Sequence, residues 1–323
     1  MPISKITTSS IDALGYGFKN RILNGSMVID QRNAGASISS GVGGLAYPCD
    51  RMFVFATGAA VTAQRTGTAG AYGITVTGAA SNTLVSSGQR IESVNIADCA
   101  GSAITISLTL SASTAQTFAW TATVPSATDN YTTTATIASG TFSVTTTPTV
   151  FTATIAAGST STVVRGMQFA ILPNNSGAFT SGTFTYTNLQ LEKGSTATSF
   201  DYRPYGTELA LCQRYCFGQN TAAAGSPAAY YSFGTSYGIA STAGFGVVSF
   251  PVTMRQAPSV TLSAASSFAL STGSGYTTVV VDQVSKDSGS LYFTGGSGAT
   301  AGYGGRFLQN NTTAASIIWS AEL

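Results

Sequence analysis

The run Ala103–Leu110, reading A-I-T-I-S-L-T-L, puts Ile104, Ile106, Leu108 and Leu110 on one side and hydroxyl residues on the other. Only an extended backbone sorts side chains this way, and one dry face beside one wet face marks a half-buried antiparallel strand. Similar short runs separated by turn residues recur from Asn24 to about Glu192, among them Met27–Ile29, Arg51–Phe55, Gln89–Asn95, Thr117–Val124, Tyr131–Ile137 and Gly182–Leu191. Eight to ten such strands need two packed sheets, and a jelly-roll closes them while limiting exposed edges. A second β set follows, from Tyr230–Tyr237 through Gly244–Val252 and Tyr303–Leu308 to Ala315–Glu322, with glycine-rich loops. The expected fold class is therefore all-β: an antiparallel jelly-roll sandwich and a second, smaller β-sandwich, joined by one short helix.

That helix is the only break in the pattern. Pro204 and Gly206 end extended structure, Thr207 is placed to cap, and Glu208 falls in the first turn, where the helix dipole favours an anion. Leu209, Cys212 and Cys216 then share one face at i, i+3 and i+7. So short a helix gains its stability by docking, which makes this face the expected oligomer or domain interface. The chain divides accordingly into a polar leader (1–22), a jelly-roll domain (23–193), a linker with the helix (194–217) and a C-terminal β-domain (218–323).

Two segments carry a resemblance. Asn20–Gly35 (NRILNGSMVIDQRNAG), followed by Tyr47, Asp50, Arg51 and Phe53, and Leu189–Cys216 (LQLEKGSTATSFDYRPYGTELALCQRYC), are similar to bacteriophage virion proteins of the tail-fibre class. They cover about a fifth of the chain. Cys216 stands where a second aromatic is expected after Tyr215, and Met52 where a tryptophan is expected after Arg51. The resemblance implies that the first segment opens a carbohydrate-binding-module-like jelly-roll and that the second closes it and begins a small C-terminal β-domain. It also implies a virion location after assembly in the host cytoplasm, anchoring to other virion proteins through the leader, and contact with host-surface polysaccharide. The same motifs serve on tail fibres, head fibres, tail connectors and capsid decorations.

Composition narrows the chemistry. Only 8% of the 323 residues are charged, none is histidine, and 43% are apolar. Between Cys99 and Val164 the single charged side chain is Asp129. A hydroxyl-rich surface of this kind suits sister subunits or neutral polyols, so a homo-oligomer, with a trimer favoured, is expected; a net charge of +2 gives no reason to expect nucleic acid. No run of about 18 apolar residues is present, so no membrane insertion is expected. Without histidine there is no Ser-His-Asp or Cys-His pair and no imidazole base. Cys49, Cys99, Cys212 and Cys216 lack the spacing of a metal or disulfide framework, so neither metal nor cofactor is expected. Paired-carboxylate hydrolysis would have to draw on Asp30, Asp50, Glu92, Asp98 or Asp129, or on Asp282 and Asp287, at about 5 to 9.5 Å. Mutual pairing of Arg32, Asp50, Arg51, Arg90 and Glu92 at strand ends is the simpler reading, and a non-enzyme is expected.

Aromatic residues give the positive signal. Tyr303, in the glycine-rich run 295–305 that reads as a mobile surface loop, and Tyr292, Trp120 and Tyr131 on expected strands are the candidate ligand-stacking residues. Core or subunit packing is the competing use of the same rings.

Overall fold

The computed structural model describes residues 18–219, 231–271, 276–310 and 315–323. The leader thus lies almost wholly outside the described residues. The fold is all-β with antiparallel sheets and, among the described residues, one α-helix.

The first sandwich has two six-stranded sheets. One runs in spatial order β1 (Ile38–Ser39), β4 (Thr62–Thr66), β5 (Gly73–Thr77), β12 (Thr183–Lys193), β7 (Ile104–Ala112) and β10 (Thr149–Ile155). The other runs β2 (Leu45–Cys49), β3 (Met52–Thr57), β6 (Leu84–Ile91), β11 (Met167–Leu172), β8 (Gln116–Ala127) and β9 (Asn130–Val144). The alternation of β7 is realised: Ile104, Ile106, Leu108 and Leu110 are all buried in one core with Phe118, Phe169, Phe184 and Tyr186. The outer face of the first sheet is solvated by hydroxyls, which bond across strands from Thr66 to Thr75 (2.7 Å) and from Thr75 to Thr185 (2.8 Å). Such rows let the sheet face water with few charges.

Three expectations change. Met27–Ile29 is irregular chain leaving a tight turn at 23–26 instead of a strand: Asn24 and Met27 both have positive φ, and the Asn24 side chain donates to the Ile29 and Asp50 carbonyls and accepts from the Ile29 amide. An asparagine that ties down its own neighbourhood outcompetes a ladder. The strand expected at Gln89–Asn95 lies earlier, at Leu84–Ile91. The helix, α1, spans Tyr205–Gln213 with Pro204 at its N-cap, so Thr207 does not cap it. Cys216 lies beyond α1 and opens β13 (Cys216–Gln219), so the predicted i, i+7 helical face does not extend to it.

The second body packs a three-stranded sheet, β13, β21 (Ile317–Ser320) and β16 (Ser259–Leu262), near a six-stranded one. The larger sheet runs β17 (Phe268–Leu270), β20 (Gly304–Gln309), β14 (Ser232–Ala240), β15 (Ala243–Ser249), β19 (Ser288–Thr294) and β18 (Thr278–Val284). Trp319, Phe293, Phe307, Phe268 and Leu291 form its core, with the Trp319 indole donating to Gln219 at 3.2 Å.

The scarce charges meet where the two bodies touch. Arg51, buried, pairs with Glu322 and stacks its guanidinium 3.7 Å from the Tyr215 ring centroid. Arg32 reaches the same Glu322 at 2.8 Å and lies 3.8 Å from Asp50. Arg90 donates to the Leu323 backbone oxygen at 2.7 Å, and Arg255 to the Ala321 carbonyl at 3.0 Å. Arg214 and the Tyr215 hydroxyl both grip Glu92. Burial opposes the Glu92 carboxylate, yet these two hydrogen bonds outweigh it and hold the group below its usual range. Asp50 behaves oppositely: burial pushes its carboxyl up to about 6, against the pull of Arg32 and Gln31. The expected mutual pairing of these residues is thus found for Arg32 with Asp50, while Arg51 and Glu92 take partners from the distant segments 214–215 and 322. Cys212 and Cys216 are fully buried and Leu209 half-buried; burial raises both thiols far above their ordinary range.

Candidate functional site

The outer face of the larger sheet in the second body carries a row in register across five strands. Gly304 pairs with Tyr237, Tyr237 with Phe245, Phe245 with Tyr292, and Tyr292 with Val280. Alternation sends their neighbours Gly238, Gly244, Leu291 and Phe293 inward, so the row faces out. Beneath it the glycines are required: a Cβ on Gly246 would meet the Phe307 and Phe293 rings at 2.8 and 3.1 Å. Close packing of large rings under β15 therefore sets the platform's height.

The rings stand side by side. Tyr237 and Phe245 are stacked at 5.2 Å with planes 25° apart, and Phe245 and Tyr292 lie at 5.0 Å and 34°. These separations match the distance between strands, so each ring leans its face on the next and the middle ring braces both ends. What remains open is the end of the stack. Tyr237 is 45% exposed and its partner across the ladder is Gly304, a residue with no side chain, above which an added Cβ would find nothing closer than 3.8 Å. One face of Tyr237 therefore looks over a notch floored by backbone. Hydrogen-bonding groups flank it: Thr235 and Arg306, paired with each other, are exposed on the adjoining row, where Ser290 donates to Asp282 at 2.8 Å.

Tyr303, 65% exposed, immediately precedes Gly304 and is out of phase with the row. Its loop is tied to the β14–β15 hairpin: Gly302 donates to Gly238, Ala299 to Ser241, and the Tyr303 carbonyl accepts from Gly238. The expected free loop is thus a strap along the edge of the site. Tyr292 is in the row. Trp120 and Tyr131 are elsewhere and buried, which removes them as stacking surfaces. Trp120 is 7% exposed and packs on Phe142 and Phe169 inside the first sandwich. Tyr131 spends its hydroxyl on the Ile91 and Met167 carbonyls beneath the Arg90 guanidinium. Alternation with Phe118 and Ala122 places Trp120 on the core face, whereas Tyr131 is buried outside that core in a stretch of β9 that does not alternate. Sequence reasoning did not pair Tyr237 with Phe245: the turn at 241–242 alone would set Phe245 opposite Gly238, and a bulge between Gly238 and Ala240 shifts it to Tyr237.

The carboxylates considered for hydrolysis are each engaged. Asp98 pairs with Arg21, Asp129 accepts from Ser93, Asp282 from Ser290 and Asp287 from Thr253. Among the described residues no cluster of three His, Cys, Asp or Glu side chains has the arrangement of a metal site, and no helix is long and apolar enough to cross a membrane.

No protein-family model and no curated protein matches the chain. Solved structures with a likeness to it include a CBM4 module, 17% identical over 53% of this chain and 97% of that one, with a TM-score of 0.35. A CBM22 xylan-binding domain from Paenibacillus barcinonensis is 12% identical over 57% of this chain and 99% of that one, with a TM-score of 0.31. A family 11 carbohydrate-binding module from Clostridium thermocellum is 10% identical over 50% and 98%, also with a TM-score of 0.31.

Proposed function

We propose that this chain is a non-enzymatic bacteriophage virion protein, a tail fibre or fibre tip, that holds host-surface glycans on the second body. The observation that carries the binding reading is the open face of Tyr237 above Gly304, braced from behind by Phe245 and Tyr292. A pyranose ring presents a flat C–H face that packs on an aromatic ring, and its hydroxyls need donors and acceptors at the rim, which Arg306, Thr235 and the Tyr237 hydroxyl provide. The two segments that resemble tail-fibre-class proteins support the virion location, with the leader as the anchor to other virion proteins. Trimers would present three copies of the notch and multiply a weak single-site affinity. Light scattering should then give about three times 32.8 kDa.

A structural reading, as capsid decoration, head fibre or tail connector, rests on a different observation. Val280, Val281 and Ile239 are each more than 40% exposed, and Val280 continues the aromatic row as apolar surface, which a neighbouring subunit would cover. Titration of the purified protein against host-surface polysaccharide, with Tyr237→Ala alongside, separates the two. Binding lost on substitution supports the glycan site; no binding by the wild-type protein, with assembly impaired by the substitution, supports the structural role.

A further inference from the structure

A cavity of about 330 Å³ lies on the first sandwich, far in sequence from the aromatic row, between the β4–β5 turn, the opening turn of the chain and the start of α1. Its walls include Asp30, Arg65, Tyr72 and Tyr205, with Val28 and Gly70 completing the rim. The volume is that of a small-ligand pocket, near the lower end of the usual range. Arg65 is held rigidly there. Its guanidinium sits 4.4 Å from the Tyr72 ring centroid, its Nη1 donates to the Val28 carbonyl at 3.1 Å, and its side chain is 15% exposed.

The donors and acceptors do not balance. Asp30 is 3.5 Å from the Arg65 Nε, but its oxygens are already occupied by backbone amides: Asn33 and Arg32 donate to Oδ1, and Gly35 donates to Oδ2 at 2.6 Å. The Asp30 side chain is fully covered, so it offers nothing to a ligand. On Arg65 the Nε is buried against Asp30, and among the described residues Nη2 has no hydrogen-bond acceptor. The cavity thus offers one guanidinium nitrogen, Nη2, as a free charged donor. Beside them stands Tyr205, 63% exposed at the first residue of α1, with a ring free to cover a ligand.

We propose that this cavity is a second saccharide site, selective for a sugar residue bearing a carboxylate, such as a uronic acid within an acidic polysaccharide. The carboxylate meets Arg65 Nη2 in a charge-assisted hydrogen bond, while the sugar ring packs against Tyr205. The site deepens the glycan reading but rests on different residues, so each survives failure of the other.

Methyl β-glucuronide and methyl β-glucoside, titrated into the intact protein and followed by ligand-observed and protein NMR, are the test. The glucuronide should bind at least fivefold more tightly than the glucoside. Tyr205→Ala, an exposed change that leaves the sandwich intact, should weaken glucuronide binding at least fivefold; Arg65→Gln should abolish the preference, and Arg65→Lys should restore it only in part. Tyr237→Ala should leave glucuronide binding unchanged, whatever it does to polysaccharide binding on the second body. Equal affinity for the two glycosides, no binding of either, or an unaltered affinity in Tyr205→Ala overturns the proposal. If Arg65→Gln does not fold, the Tyr205 result and the glycoside ratio decide alone.

Discussion

The junction between the two bodies and the aromatic row on the second body use the same kinds of residue to opposite ends. At the junction Arg51 and Tyr215 are stacked, paired and sealed from water, so their interactions are spent on holding the chain together. In the row, Tyr237 is stacked on one face only and Arg306 is exposed, so binding capacity is left over. An aromatic or a cation therefore signals function here through what remains unsatisfied after folding. Counting such residues in the sequence does not separate the two regions.

The sharpest way to break that contrast is Arg51→Ala. It leaves Glu322 buried with Arg32 alone and removes the cation from the Tyr215 ring, and losing one member of a buried pair costs about 3 to 5 kcal/mol. Chemical denaturation should show a loss of that size; a loss under about 1 kcal/mol would mean that the junction does not hold the bodies. Replacing Arg51 and Glu322 together with apolar residues should recover part of it, since an unpaired buried charge is worse than none.

Asp50 sharpens the same side through pH. The folded carboxyl keeps its proton up to about 6, against 3.8 as the ordinary value, so the folded state binds the extra proton between these limits. Stability from this group is therefore greatest below about 4 and falls as pH rises through the window, by about 1 to 3 kcal/mol in all. The gap in unfolding free energy between Asp50→Asn and wild type should move by that amount between pH 4 and 7; a constant gap would refute the shift.

On the exposed side, Tyr237→Ala should change stability by less than about 1 kcal/mol while weakening glycan binding at least tenfold, which is about 1.4 kcal/mol. The reverse pattern, a large stability loss with binding intact, would move Tyr237 to the structural class. Tyr303→Ala should have the smallest effect, a twofold to threefold loss of polysaccharide binding with no change in melting temperature, because its ring is exposed and out of phase with the row.

Much of the fold was legible. The dyad alternation in β7 specified a strand with Ile104, Ile106, Leu108 and Leu110 on its core face, although Thr105 and Ser107 on the other face are buried as well. The break at Pro204 located the helix start to within three residues. Met27–Ile29 misled because its apolar residues follow a turn and are held out of any ladder by one asparagine's bonds to residues five and twenty-six positions away. Trp120 and Tyr131 misled because ring type says nothing about which face of a sheet becomes core. Tyr292 was legible as an outward aromatic, but its companions required register.

The sequence by itself determined the class of the fold, the place of the helix and the absence of imidazole chemistry, because these follow from local periodicity and composition. Tertiary structure alone decided that Glu322 would answer Arg51, that Gly304 would lie opposite Tyr237, and that Arg65 would line a cavity with Tyr205. Each of these joins residues from separate strands or segments, and pairing of that kind is set by strand register and packing between sheets, which local periodicity does not encode.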